Sequence, residues 1–234
     1  MAMLTAPRVA GAARRGRLAF MAVLAAVTLW LPGCGTGSPG SVVQGSGVAA
    51  TQTRPVARFS RINLAGSNKV TVVVGGRQSV VVHADSNLLD RVTTRVVAGT
   101  LLIGTTGGFT TANPMSVEIS VPALAALELS GSGQISASGI NAPRLTVTLS
   151  GSGALDASGT VARLDVTLGG SGLAQLGQLP ARDVRAVVTG SGLIRVTATA
   201  SLDAAVPGDG AIIYGGSPPH VTTSITGTGA VLRG

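Results

Sequence analysis

One cysteine, two histidines and nine carboxylates are the groups with which this 234-residue chain could do chemistry. Their spacing brings few of them together. His83 and Asp85 stand two residues apart, so on a strand both would point to one side. A metal site or an acid–base pair needs a further partner, and the sequence places none beside them. They read as a surface histidine next to a turn aspartate. His220 follows Pro218-Pro219 and reads as the first residue of a strand. Asp156, Asp165, Asp183 and Asp203 are scattered along the C-terminal half. Glycoside hydrolysis needs two carboxyl groups about 5–9.5 Å apart in one cleft, and nothing in this spacing pairs them.

Serine and glycine offer a second kind of chemistry. Ser130-Gly131-Ser132-Gly133 returns as Ser150-Gly151-Ser152-Gly153 and Gly169-Gly170-Ser171-Gly172. It returns again as Thr189-Gly190-Ser191-Gly192, Pro207-Gly208-Asp209-Gly210 and Thr226-Gly227-Thr228-Gly229. A phosphate-binding loop would need a lysine after the glycines, and no block has one. A nucleophile elbow would need a strand before the serine and a helix after it, and no helical pattern follows. Calcium-binding repeats carry an aspartate in each corner, and here Asp209 stands alone. The chain is therefore read as a non-enzyme, with no catalytic residue, no cofactor and no metal set.

What must position these blocks is a repeat. Their first residues are separated by 20, 19, 20, 18 and 19 positions. A fixed period of this size marks a stacked architecture. Five, three and one positions before each block the side chains are almost all apolar: Ala125, Leu127, Leu129; Leu145, Val147, Leu149; Leu164, Val166, Leu168. The later sets are Val184, Ala186, Val188; Leu202, Ala204, Val206; and Val221, Thr223, Ile225. Polar or small residues stand between them, which predicts strands with one buried face. A shorter strand after each block would turn Ile135, Leu155, Ala174, Ile194, Ile212 and Val231 inward. Equal offsets in every repeat let like stack on like. The fold class predicted is all-β, a β-solenoid of about six coils of 18–20 residues over 123–234. The glycines are expected to serve sharp corners through positive φ.

Residues 56–122 read as a β-rich capping unit, out of register with the repeat. Its candidate strands are Phe59–Leu64, Lys69–Val74, Ser79–Ala84, Arg91–Val97, Thr100–Gly104 and Met115–Val121. Gly75-Gly76 is expected to close a hairpin.

Several runs here carry a family resemblance. Phe59-x-x-Ile62-x-x-x-Gly66 is followed by Val70-x-Val72 and Val80-x-Val82-x-Ala84-Asp85-x-Asn87-Leu88-Leu89. Gly99-x-Leu101-x-Ile103 and Val117-x-Ile119-x-Val121-Pro122-x-Leu124 come next, then the Ser-Gly-Ser-Gly blocks. Over about 56–234 the chain resembles the "putative auto-transporter adhesin, head GIN domain" family. The resemblance implies a secreted or envelope-attached all-β domain and brings no catalytic or binding residues with it.

Residues 1–33 read as a signal peptide. Arg8, Arg14, Arg15 and Arg17 supply its positive region, and Leu18–Leu31 an apolar run too short to favour a spanning helix. Leu31-Pro32-Gly33-Cys34 resembles the bacterial lipobox, with Pro32 departing from the usual small residue. That resemblance implies lipidation of Cys34, attachment to a membrane and, with Gly35 following, the outer membrane. Residues 34–55 are expected to be the anchor and a flexible Gly/Ser/Thr tether.

The formal charge of +8 falls to +4 once the four leader arginines are gone. No Lys/Arg cluster and no aromatic interleaving remain, which argues against nucleic acid as a partner. The reading is a non-enzymatic envelope lipoprotein with a structural, binding or adhesive role toward a glycan or protein. Two alternatives are a periplasmic or surface carbohydrate-active enzyme and a self-associating envelope module. The latter would pair through the C-terminal coil, with Arg233 as a guard on that edge.

Overall fold

The alternation in the repeat and the glycine blocks between its runs produce strands that turn corners without leaving the sheet. The computed structural model describes residues 42–111 and 113–234. The N-terminal strands are β1 (Val43–Gln44), β2 (Ala49–Thr53), β3 (Arg61–Ala65), β4 (Lys69–Val74), β5 (Ser79–Asp85), β6 (Val92–Val97), β7 (Thr100–Thr105), β8 (Phe109–Thr110) and β9 (Ser116–Val121). The repeat supplies β10 (Ala126–Leu129), β11 (Gln134–Leu149), β12 (Ala154–Leu168), β13 (Leu173–Val188), β14 (Leu193–Val206), β15 (Ala211–Gly215), β16 (His220–Ile225) and β17 (Ala230–Arg233). A 3-10 turn at Leu89–Arg91 is the one helical element among the described residues.

The result is the β-solenoid that the period predicts. Runs that lead into a glycine block stack on one flank, and runs that leave it stack on the other. On the leading flank the parallel order is β7, β3, β10, the second halves of β11 to β14, then β16. On the trailing flank it is β9, β4, the first halves of β11 to β14, β15, then β17. Leu145, Val147 and Leu149 and their equivalents from Leu127 to Val206 face Ile135, Leu155, Ala174 and Ile194 across a continuous interior, and all of these are buried. Val221, Thr223 and Ile225, expected inward, are exposed because no further coil among the described residues covers β16.

The glycine corners have a different cause from the one expected. None of the paired glycines in the six blocks has positive φ. What excludes a side chain is the coil beneath. A Cβ on Gly131 would lie 2.1 Å from the Gly66 carbonyl oxygen, one on Gly151 2.0 Å from that of Gly131, and one on Gly170 2.1 Å from that of Gly151. The same carbonyls accept hydrogen bonds from the coil above: Gly133 N–H to Gly66, Gly153 N–H to Gly131 and Gly172 N–H to Gly151, at 2.9, 3.1 and 3.1 Å. Close backbone contact selects glycine here.

Residues 56–122 differ from a cap set apart from the stack. Ile62-x-Leu64, Gly66 and Val70-x-Val72 have the spacing of Leu127-x-Leu129, Gly131 and Ile135-x-Ala137, and they pair directly with them. Residues 61–74 therefore form a coil, and β7 with β9 forms another beyond it. The period is hidden because the chain leaves after β4 to build β5 and β6, and returns on the far side. Those two strands do close the end, running antiparallel to β9 and β7. Gly75-Gly76 does not close a hairpin: β9 lies between β4 and β5 and pairs with both.

The expected tether is partly structured. From Val43 onward it contributes β1, parallel to β8, and β2, antiparallel to β5. β2 covers an edge and has no buried face, so its Ala-Ala-Thr-Gln-Thr sequence lacks the alternation that announces a strand. Ala125 is exposed, and Leu124 fills the core in its place, because the chain enters the strand only at Ala126. Cys34 and the proposed leader lie outside the described residues.

Candidate functional site

The two flanks carry outward side chains of opposite habit. On the leading flank the outward charges of residues 144–203 neutralise one another. Arg144 Nε donates to Asp165 Oδ2 at 2.8 Å, and Arg163 Nε lies 3.4 Å from Asp165 Oδ1. Ser201 Oγ donates to Asp183 Oδ1 at 2.7 Å, with Arg182 Nε 3.9 Å from the other oxygen. Arg185 Nε stands 3.9 Å from Asp203 Oδ2. Three of the scattered aspartates of the sequence, Asp165, Asp183 and Asp203, are therefore rungs of an ion ladder on this flank. Each such pair contributes about 0–1 kcal/mol and leaves its carboxylate occupied.

The trailing flank holds a groove of about 470 Å³. Its floor is a column of outward residues in register across five strands: Thr71 opposite Ser136, Ser136 opposite Asp156, Asp156 opposite Gln175, and Gln175 opposite Arg195. Inter-coil pairing is interrupted just past this column. Ser138, Ser158 and Gln178 line the groove at those interruptions. Among the described residues, no hydrogen bond or ion pair occupies the side chains of Ser136, Asp156, Ser158, Gln175, Gln178 or Arg195. The groove thus presents free hydroxyls, amides, one carboxylate and one guanidinium. It can hydrogen-bond a polar ligand, but Asp156 is the single carboxylate among its lining residues.

Most of the remaining sequence candidates have structural partners. His83 Nδ1 is 3.1 Å from Thr51 Oγ1, and its Nε2 is 3.5 Å from Glu118 Oε2. Asp85 is not a surface turn residue. It is 0% exposed, accepts from Thr111 Oγ1 at 2.7 Å and from Asn113 Nδ2, and so pins the loop before β9. Asp209 Oδ1 accepts from Thr228 Oγ1 at 2.7 Å. His220 is exposed at the start of β16. Arg233 stands on β17, in the last coil. Its Nη2 reaches back to the Gly216 carbonyl at 3.2 Å and to Ser217 Oγ at 2.8 Å.

Sequence reasoning singled out Asp156 alone from the groove column. The missed residues do carry a signal. Ser136, Asp156, Gln175 and Arg195 each stand six places after the first residue of a glycine block. They are found by reading one position of the repeat down all its copies.

The profile of the family described as "Putative auto-transporter adhesin, head GIN domain" matches residues 58–218. Solved structures share the fold. A crystal structure titled as a putative adhesin from Bacteroides fragilis is 24% identical with a TM-score of 0.68, over 82% of this chain and 99% of that one. One titled the same way from Parabacteroides distasonis is 23% identical with a TM-score of 0.56, over 83% and 100%. A third, titled a putative lipid binding protein from the same species, is 20% identical with a TM-score of 0.53, over 83% and 100%. No curated protein matches the chain.

Proposed function

From the premise that this chain belongs to the family described as "Putative auto-transporter adhesin, head GIN domain", we propose that it is a non-enzymatic, adhesin-like binding protein of the cell envelope. The ligand lies in the groove of the trailing flank. The observation that supports this reading is the difference between the flanks over the same coils: the charges of residues 144–203 engaged in ion pairs on one, a column of unengaged polar groups on the other. Catalysis of glycoside hydrolysis is disfavoured because the groove offers one carboxylate where two are required. The family label supports a surface or envelope location. A lipid anchor at Cys34 and an outer-membrane address rest on the sequence at 31–35.

The test is attachment of the purified protein to cell surfaces. Asp156→Ala with Gln175→Ala should abolish it, while Asp203→Ala on the opposite flank should not. Equal attachment by all of these proteins would refute the groove.

A second reading is favoured by β16. All six of its residues are exposed, Val221 by 43% and Ile225 by 46%, whereas Leu202 and Val206 one coil earlier are buried. A second copy of the chain, adding strand to strand, would cover this edge. Light scattering of residues 35–234 over a wide concentration range should show a monomer–dimer equilibrium that Val221→Lys abolishes. A strict monomer at every concentration would refute it.

A further inference from the structure

Resting on the groove as the binding site, we infer that its ligand is a linear glycan lying along the stack axis, about one sugar per coil, with an acidic unit over Arg195. The spacing comes first. Successive side chains of the column are one inter-strand distance apart, ~4.8 Å, because they are directly opposite one another in the ladder. An extended pyranose chain advances by close to this distance per sugar, so one sugar falls opposite each of Thr71, Ser136, Asp156, Gln175 and Arg195 and meets it with hydroxyls of one edge or the other. An extended peptide does not: its like-facing side chains recur about every 6.8 Å. A peptide would also seek a strand edge for its backbone, and the groove lies on a sheet face.

The chemistry agrees. Hydroxyl, carboxylate, amide and guanidinium groups are donors and acceptors for sugar hydroxyls. The lining residues include no aromatic ring, so bases have nothing to stack on, and single-stranded nucleic acid loses its usual platform. Without stacking, each sugar is held by hydrogen bonds alone, and affinity must accumulate along the column.

The charges give the ligand a direction. Arg195 is the cationic end, and beyond it the column continues as Ile213, which offers no hydrogen bond. Asp156 stands two coils away, and past Thr71 the column continues as Glu118. An acidic sugar is therefore drawn to Arg195 and repelled from the other end. Neutral sugars occupy the coils of Ser136 and Asp156.

The probes are β-1,4-linked glucose oligosaccharides of two to seven units, with and without one terminal glucuronic acid, titrated into the full chain by calorimetry. Affinity should rise about two- to fivefold per added sugar, one neutral hydrogen bond at a time, and level off at five units. The terminal acid should add about tenfold, and Arg195→Gln should remove that increment. The same oligosaccharides should compete with cell attachment. Attachment that is lost in Asp156→Ala with Gln175→Ala, but which no oligosaccharide binds or blocks, overturns the glycan and leaves the groove. Binding without length dependence, or an acid preference that survives Arg195→Gln, overturns the alignment. Attachment indifferent to the groove variants overturns the reading on which this rests.

Discussion

Gly151→Ala isolates the contact that holds one coil to the next. The added Cβ would lie 2.0 Å from the Gly131 carbonyl oxygen, 2.8 Å from its carbonyl carbon and 3.0 Å from its nitrogen. All three are backbone atoms of the coil beneath, so no side chain can swing aside. The two corners must part by at least about 1 Å to restore ordinary van der Waals contact. That displacement stretches the bonds from Gly153 N–H to Gly131, at 3.1 Å, and from Ala154 N–H to Gly133, at 3.0 Å. Two backbone bonds weakened or left unmade cost about 2–4 kcal/mol together. The unfolded chain loses some freedom with alanine, which returns about 0.4–1 kcal/mol. The net loss is about 2–3 kcal/mol, a fall in Tm of roughly 5–10 °C for a domain of this size. Gly177→Ala is the control: φ there is not positive and nothing lies within 4 Å of the new Cβ, so Tm should hold or rise slightly. Thermal unfolding followed by far-ultraviolet circular dichroism measures both. Equal Tm values for Gly151→Ala and Gly177→Ala would refute close stacking as the reason for the glycine blocks.

Other perturbations test other levels of the structure. Val147 is 0% exposed and Thr148 faces outward, so Val147→Asp should cost about 4 kcal/mol or more through an unpaired buried carboxylate, and Thr148→Asp little; similar chemical denaturation midpoints would sink the register. Asp85→Ala strips the Thr111 and Asn113 side chains of their shared acceptor; amide exchange should quicken at 43–45 and 108–111, with a stability loss of about 2–3 kcal/mol, and unchanged exchange there would refute the latch. Cys34 should carry a thioether-linked diacylglycerol and an acylated amino group in protein taken from its membrane, with Cys34→Ser released to the soluble fraction. An unmodified N-terminus downstream of Cys34, read by mass spectrometry, would rule the anchor out.

The interior of this fold was legible because packing leaves it no freedom. Leu145, Val147 and Leu149 must alternate with polar residues if one face is buried, and a solenoid repeats that demand in each coil. The glycine period was legible for a related reason, although its cause was not. Sequence shows that glycine recurs, and only the neighbouring coil shows that Gly131 O occupies the place of a Cβ. The coil at 61–74 escaped notice because its corner is Gly66-Ser67-Asn68, without a second glycine, and because the next segment turns back. β2 escaped because an edge strand that covers backbone needs no apolar face.

The groove was hidden by the same stacking that made the core plain. Thr71, Ser136, Asp156, Gln175 and Arg195 stand 65, 20, 19 and 20 positions apart, yet they are nearest neighbours on one surface. No motif spanning a few residues can contain such a site. Inward and corner positions are fixed by contact with the coils on either side, so they repeat. Outward positions touch solvent, so they are free to differ from coil to coil. Ser, Asp, Gln, Arg, Ile and Leu follow one another at the same position of the six copies, whereas the second glycine of each block is invariant across them. In a stack of this kind the information about a ligand lies in the departures from the repeat, read down a column, and the information about the fold lies in what the repeat keeps.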